Sequence, residues 1–377
     1  MKAGLITFHY AHHYGAQLQA YALHKTIGDM GVPCEIIDYV RPDTLMGNSL
    51  FKKGLSPRSL MSNAHTLLHY PAFKKRYSRF NAFVKEHMRL GEKRYLKFEE
   101  LMADPPKYDL YVCGSDQIWN PLIFTPKDFD SSFFMPFAGD KKRIAYAPSF
   151  GIAKIPDGLQ KKLKGYLETF GSLSTRESQG ARIVEELTGR TAEVVLDPTL
   201  LLKESEWSSL CAKPGNTQPY ILCYFVSDPT PFMNAIQIVA KELRLPIICL
   251  CGSRRRIPGS RGRIFNAGPK EFLSLFREAA FVMTNSFHGT VFSILFNKDF
   301  YSFESSRNDS GKSVNSRLQT ILKILGLEDR LIKSGASGAL TSEGDIGARI
   351  DYAPVLDKLE KERETSLKYL KNALGDQ

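Results

Sequence analysis

Short apolar runs of strand length alternate with helix-length segments along almost the whole chain, and this alternation constrains the fold more than any other feature. Candidate strands lie at 3–8, 34–39, 108–113, 143–147, 193–196, 220–226, 246–250, 280–284 and 299–303. Between many of them the period changes to that of a helix. The segment 17–30 sets Ala20, Leu23, Ile27 and Met30 on one face, with Ala16 just ahead of it, and 269–279 opens with Pro269 in its first turn. Parallel strands need crossover connections of this length, so the pattern predicts α/β architecture with parallel sheets and flanking helices. In such sheets ligands sit beyond the carboxyl ends of the strands, which is where functional residues are to be sought.

A seam follows Leu196-Asp197-Pro198-Thr199-Leu200. After it the pattern restarts with a helix around Trp207, a Pro/Gly/Asn linker at 213–219 and a new strand. The organisation read from this is a first Rossmann-like domain over 1–203, a second over 204–350 and a charged, surface-lying helix over 351–377. A basic helical insertion at about 45–100 interrupts the alternation, with apolar and aromatic residues interleaved among its lysines and arginines. Two readings of it stay open: contact with an anionic membrane surface or a lipid-linked substrate, and a helical excursion with a solvated basic face.

Charge narrows the partners. Against 40 Asp and Glu the 377 residues carry 51 Lys and Arg, a formal net charge of +11. Anionic partners are implied: phosphorylated metabolites, nucleotide-sugars, lipid phosphates or nucleic acid. No nucleic-acid-binding signature accompanies the charge, so nucleic acid is not expected. The six cysteines form no CxxC pair and mostly sit in apolar runs, as reduced buried thiols do. The N-terminal apolar run is too short for a signal peptide, and no run approaches the roughly 20 apolar residues of a membrane span. A cytoplasmic location is expected, with peripheral contact at the inner face of the cell membrane open to it.

Four strand ends carry residues suited to chemistry. The first is Phe8-His9-Tyr10-Ala11-His12-His13-Tyr14-Gly15-Ala16, whose ring nitrogens and phenol oxygens stand at a strand-to-helix turn suited to sugar or phosphate. His12 and His13 are adjacent and point apart, and no carboxylate lies near in sequence, so no metal site is expected. The second is Gly114-Ser115-Asp116-Gln117-Ile118-Trp119-Asn120. Asp116 there can be a general base, a hydroxyl anchor or a local turn-former, and Trp119 offers a flat face for a sugar or base. At the third, Ser174-Thr175-Arg176-Glu177-Ser178, the guanidinium can clamp a carboxylate or phosphate, or form a salt bridge to Glu177 or the sheet edge. The fourth, Thr284-Asn285-Ser286-Phe287-His288-Gly289, passes from a buried strand into a helix N-terminus, an anion site to which His288 adds a group able to carry a proton near neutrality. His288 as a simple helix cap is the competing reading. A further basic turn, 251–263, brings Arg254 and Arg255 among five arginines to the same edge, a clamp for a diphosphate or other polyanion.

In order and spacing these pieces resemble the polysaccharide pyruvyl transferase family. The resemblance also draws on Gln17-Leu18-Gln19-Ala20-Tyr21 and on Asp197-Pro198-Thr199, and it runs over most of the chain. It implies a GT-B-like fold, two Rossmann-like domains facing across a cleft. It implies transfer of pyruvate from phosphoenolpyruvate, as a ketal, onto a sugar of a cell-surface polysaccharide or of its nucleotide- or lipid-linked precursor. Phosphoenolpyruvate is then a co-substrate and no cofactor is needed. On this reading His288 and Asp116 are catalytic, and Arg176, Asn285, Ser286, Gly289, Arg307 and Lys312 bind the donor. The acceptor falls to His9, Tyr14, Gly15, Gln17, Gln117, Trp119, Asn120, Arg254 and Arg255. Better-known members carry an Arg two residues before the His, where this chain has Ser286. Two alternatives share the architecture: a GT-B-type glycosyltransferase using a nucleotide-sugar, and a non-catalytic sugar-phosphate-binding homologue.

Overall fold

The computed structural model describes residues 1–54, 56–213, 218–250, 256–304, 315–333 and 347–375, without the side chain of residue 58. Two parallel sheets organise them. The first unit runs β1 (Ala3–Ile6), α1 (Tyr14–Asp29), β2 (Cys34–Tyr39), α2 (Pro42–Asn48), α3 (Pro57–Leu68), α4 (Tyr70–His87), β3 (Leu90–Tyr95), α5 (Phe98–Ala103), β4 (Leu110–Cys113) and β5 (Lys142–Ala145). It continues through α6 (Asp157–Leu167), β6 (Ser174–Thr175), α7 (Ser178–Thr188), β7 (Glu193–Val194) and α8 (Glu204–Leu210). The second contains β8 (Ile221–Tyr224), α9 (Met233–Leu243), β9 (Ile247–Leu250), β10 (Ser260–Ile264), α10 (Pro269–Glu278), β11 (Phe281–Thr284), α11 (Phe287–Leu295), β12 (Asp299–Phe303), α12 (Ser316–Leu325) and β13 (Leu331–Ile332). The last helix is α13 (Tyr352–Leu374).

Strand order is β3-β2-β1-β4-β5 in one sheet and β10-β9-β8-β11-β12-β13 in the other, and each pair is parallel. Both sheets reverse direction of growth beside their first strand, at β1/β4 and at β8/β11. Such switch points open a crevice at the strands' carboxyl ends. The central strands are apolar throughout and wholly buried (AGLI in β1, LYVC in β4, ILCY in β8, FVMT in β11), as strands covered on both faces require.

Two of the edge strands, β3 (LGEKRY) and β10 (SRGRI), are polar. An edge strand faces solvent and needs no apolar run. For that reason β3 reads from sequence as part of the insertion, and β10 as part of a basic turn; both are strands of the sheets. The insertion's helices are α2, α3 and α4, ending at His87.

A single apolar core joins the units. It passes from Leu5 and Leu18 through Trp207, Tyr220 and Phe272 to Val291 and Leu370. Tyr14 stacks on Phe272 with ring centroids 4.6 Å apart, and its hydroxyl donates to the Ala267 carbonyl at 3.0 Å. The helix α4 is pinned to α10 by Arg79–Glu271 (3.0 Å) and Lys270–Glu86 (2.6 Å). The final helix is exposed along one face and packed along the other: α13 buries Val355, Leu359, Ser366, Tyr369 and Leu370 and straps one unit to the other. Near its start the Tyr352 hydroxyl donates to the Lys298 carbonyl at 2.6 Å. Near its end Tyr369 donates to Ala145 O at 2.9 Å, and Ser366 Oγ accepts from Leu196 N at 3.0 Å. The charged residues of its sequence mask a buried stripe on the opposite side.

Candidate functional site

Chain turns at the ends of β1, β4, β6 and β11 converge on one cluster, and Asp197 is its hub. This residue starts the short turn Pro198–Leu200, with Oδ1 accepting from Thr199 N (3.0 Å) and Thr199 Oγ1 (2.6 Å). Oδ2 accepts from Arg176 Nη1 at 2.6 Å and Ser115 Oγ at 3.1 Å. His288 Nε2, from the other unit, stands 3.6 Å from the same oxygen, within ion-pair range and beyond a hydrogen bond. Burial alone would raise the Asp197 carboxyl. The neighbouring His288 and Arg176, with the Thr199 hydroxyl, outweigh that and hold it well below the usual carboxylate range.

Arg176 is fully buried and spends one nitrogen on Asp197. Nη2 lies 3.5 Å from Asp116 Oδ1, while Nε and Nη2 have no hydrogen-bond partner among the described residues. Its local pairing is therefore with Asp197 and Asp116. Glu177 instead turns away, accepting through Oε1 from Ser149 Oγ (2.8 Å) and Phe150 N (3.1 Å). The guanidinium carbon sits over the ring of Phe287, 4.6 Å from its centroid.

A second guanidinium, Arg317 in the first turn of α12, stands 5.9 Å from the same ring. Arg317 forms no ion pair among the described residues, and its Nε is buried without a partner. Burial, then the like charge of Arg176, push it down to about 10, against the pull of Glu177, Asp116 and Asp197. It stays charged at neutral pH, a cation with no ion-pair partner among the described residues.

Asp116 has a left-handed backbone, φ 73°, and its Oδ1 accepts from Gln117 N at 2.8 Å. Burial opposes its ionisation, but Arg176, then His288, His13 and Arg317, hold its pKa below the usual value. An already ionised carboxylate of lowered pKa is a poor general base and a good hydroxyl anchor.

His288 is brought here by the turn that starts α11. Ser286 caps that helix, its Oγ accepting from Gly289 N at 3.3 Å. Thr284 Oγ1 lies where a Cβ on residue 289 would meet it at 2.3 Å, so only glycine fits there. Asn285 ties the ends of β11 and β8, accepting from Val226 N at 2.8 Å and donating to Ser227 Oγ at 2.5 Å. His288 itself is buried, with Nε2 unpartnered, and lies against α1 at Gly15. His13 caps α1 by accepting from Ala16 N through Nδ1 at 3.4 Å, which leaves the hydrogen on Nε2. It is solvent-accessible yet walled in by both units. That enclosure pushes its imidazole down; Asp116 opposes, and His288, Arg76 and Arg317 add to the fall.

Several sequence expectations need correction. Asn285, Ser286 and Gly289 build the turn itself: Asn285 ties β11 to β8, Ser286 caps α11 and Gly289 makes room for Thr284. His9 is fully buried, its Nε2 donating to Asp38 at 3.0 Å. Trp119 offers no face to a sugar: it is fully buried and stacked on Phe134, centroids 5.5 Å and planes 9° apart. Asn120 caps a short turn and donates to Gln117 Oε1 at 2.8 Å, so both amides are engaged locally. Tyr14 is a buried pin between units, and Gly15 makes room for His288. Gln17 is buried with both amide atoms unpaired. Arg254, Arg255, Arg307 and Lys312 lie outside the described residues.

Sequence reasoning brought Asp116, Arg176 and His288 forward, and the structure places them together. Arg317 is absent from the sequence expectations; His13 and Phe287 lie in stretches singled out there without a role of their own, and Asp197 enters there as part of the seam and of a shared motif. Arg317 had one legible signal, a cation in the first turn of the helix that follows the strand after His288.

Comparison with known proteins bears on the family and the fold. A family model described as polysaccharide pyruvyl transferase matches residues 13–307. A search of curated proteins finds no match. Among solved structures, the S. aureus MnaA–UDP co-structure superposes with a TM-score of 0.54 at 11% identity, over 99% of this chain and 97% of that one. A Listeria monocytogenes protein described as a UDP-N-acetylglucosamine 2-epimerase gives 0.50 at 9% identity, over 100% and 98%. At such identities the likeness is one of fold, the GT-B-like pairing of two Rossmann-like units.

Proposed function

This chain belongs to the polysaccharide pyruvyl transferase family, and from that premise we propose that it moves the pyruvyl carbons of phosphoenolpyruvate onto two hydroxyls of a nucleotide- or lipid-linked sugar. The observation that carries the reading is the pair of guanidiniums over Phe287, one half-engaged by Asp197 and the other with no ion-pair partner among the described residues. Phosphoenolpyruvate has two anionic groups, a carboxylate and a phosphate, and Arg176 and Arg317 present two cations on one ring. The positive end of α11 adds to the field.

In the reaction the methylene carbon of the donor gains a proton and the neighbouring carbon gains a sugar oxygen. That carbon then loses phosphate as a second sugar oxygen bonds to it; of the two hydroxyl protons, one balances the proton gained by the methylene and the other leaves with the phosphate. His288 is assigned the proton delivered to the methylene. Its Nε2 carries no internal hydrogen bond, and Asp197 lies close enough to stabilise the protonated ring. Asp116 is assigned as the anchor for a sugar hydroxyl, and His13 as a neutral Nε2–H donor at the cleft wall. Arg176 acts in part through Asp197, so it positions the hub as well as facing the donor.

The test is incubation of purified protein with phosphoenolpyruvate and a panel of nucleotide- and lipid-linked sugars, following phosphate release and acceptor mass. Phosphate release in step with a pyruvyl-ketal mass gain supports the reading. Sugar transfer from a nucleotide-sugar with phosphoenolpyruvate untouched overturns it.

A further inference from the structure

The helix α3 is inside out. At 3.6 residues per turn, Leu60, Met61, Ala64, Leu67 and Leu68 fall on one face, and Ser62 and Thr66 on the other. In a helix packed on a soluble protein the apolar face would be inward. Here Leu60 (52% exposed), Met61 (74%), Leu67 (65%) and Leu68 (76%) point to solvent, whereas Ser62 and Thr66 are 7% exposed. Phe51 and Tyr70, also exposed, stack at 6.1 Å and extend the apolar surface beyond the helix end. Most of the exposed large hydrophobic residues of the described chain belong to this insertion.

The charge around that surface is of one sign. Residues 44–85 contain eight lysines and arginines and neither Asp nor Glu. Lys52, Lys53, Lys74 and Lys75 of the same insertion are exposed. A second copy of this chain would bring cations onto cations. An anionic bilayer offers lipid tails for the leucines and headgroups for the lysines. Among the described residues no helix is long and apolar enough to cross a membrane, so contact would be in the interface plane.

The inward polar face is used as well. With Arg76, Lys52 and Phe73, the side chains of Ser62, His65 and Thr66 line a cavity of about 430 Å³ under α3. Arg76 also donates to the His12 carbonyl at 3.2 Å and lowers the His13 imidazole, so one side chain borders both the cavity and the cleft.

We propose that the outward face of α3, with the lysines of the same insertion, docks the protein on an anionic lipid bilayer. The cavity beneath it then lies between bilayer and cleft, and on the pyruvyl-transfer reading a lipid-linked sugar would enter past Arg76. The docking itself does not depend on that reading.

Flotation with phosphatidylglycerol/phosphatidylcholine vesicles, with pure phosphatidylcholine as control, tests it without any turnover. The wild-type protein is expected to float with the anionic vesicles, less so as salt rises. The Met61→Ser/Leu67→Ser/Leu68→Ser variant is expected to lose about tenfold or more in binding, and Lys74→Glu/Lys75→Glu to lose the preference for anionic lipid. Unchanged circular dichroism shows that the variants fold. No flotation of the wild type, equal binding by the triple variant, or a lipid-free dimer that the triple variant abolishes would overturn the proposal.

Discussion

Gly15 and His288 come from different units and touch so closely that no side chain fits between them: a Cβ on residue 15 would stand 2.0 Å from the histidine Nδ1. The first turn of α1 is thus the surface against which the proposed proton donor is set. Gly15→Ala must displace the imidazole while leaving the cores alone. The expected result is a loss in kcat on the order of 100-fold, the cost of a misplacement of about 1 Å. The melting temperature should change little, as thermal unfolding monitored by circular dichroism can check. A Gly15→Ala enzyme of normal rate would separate this contact from catalysis.

Asp197 and Arg176 form a buried pair, and removing one partner leaves the other uncompensated. Arg176→Ala or Asp197→Asn is expected to cost about 3–5 kcal/mol in urea unfolding. The double variant should recover part of that loss. Additive losses would show that the pair is not coupled.

The pH dependence follows from the same carboxylate. Burial opposes its ionisation, but His288 and Arg176 depress its folded pKa below the roughly 3.9 of an unfolded aspartate. Its contribution is therefore complete above about pH 4 and fades as pH falls through the folded value. Stability measured at successively lower pH should drop less steeply in Asp197→Asn than in the wild type. Parallel curves would contradict the assignment.

Ser286 caps α11, its side-chain oxygen accepting from Gly289 N at 3.3 Å. Ser286→Ala is expected to cost about 1 kcal/mol of stability, with His288 still in place and only a modest change in rate. A large loss of rate at unchanged stability would give Ser286 a direct role.

Much of this was legible in the sequence because parallel sheets advertise themselves. The central strands are short, largely apolar runs that end abruptly in polar residues of the site, Asp116 after β4 and His288 after β11, while Arg176 follows the two-residue strand β6. What the pattern hid has physical causes. The edge strands β3 and β10 lack an apolar face because solvent covers them. Trp119 reads as an exposed platform in sequence, but its neighbours in space are Phe134, Phe150 and Phe170, all supplied by distant segments. The helix α13 carries its charges on one side and its buried stripe on the other. Arg317 joins Arg176 only through the ring of Phe287, a meeting between α7's approach, α11 and α12 that no local spacing encodes.

The central claim is that Arg317 waits for an anion of the donor while His288 waits for its chemistry. Calorimetric titration of phosphoenolpyruvate into the wild type, Arg317→Ala and His288→Ala, with no acceptor present, tests it most directly. The account predicts saturable binding to the wild type, affinity weakened about 10- to 100-fold in Arg317→Ala, as loss of a charge-assisted bond requires, and near-normal affinity in a turnover-dead His288→Ala. Equal affinity in the wild type and Arg317→Ala, or no binding by either, would contradict it.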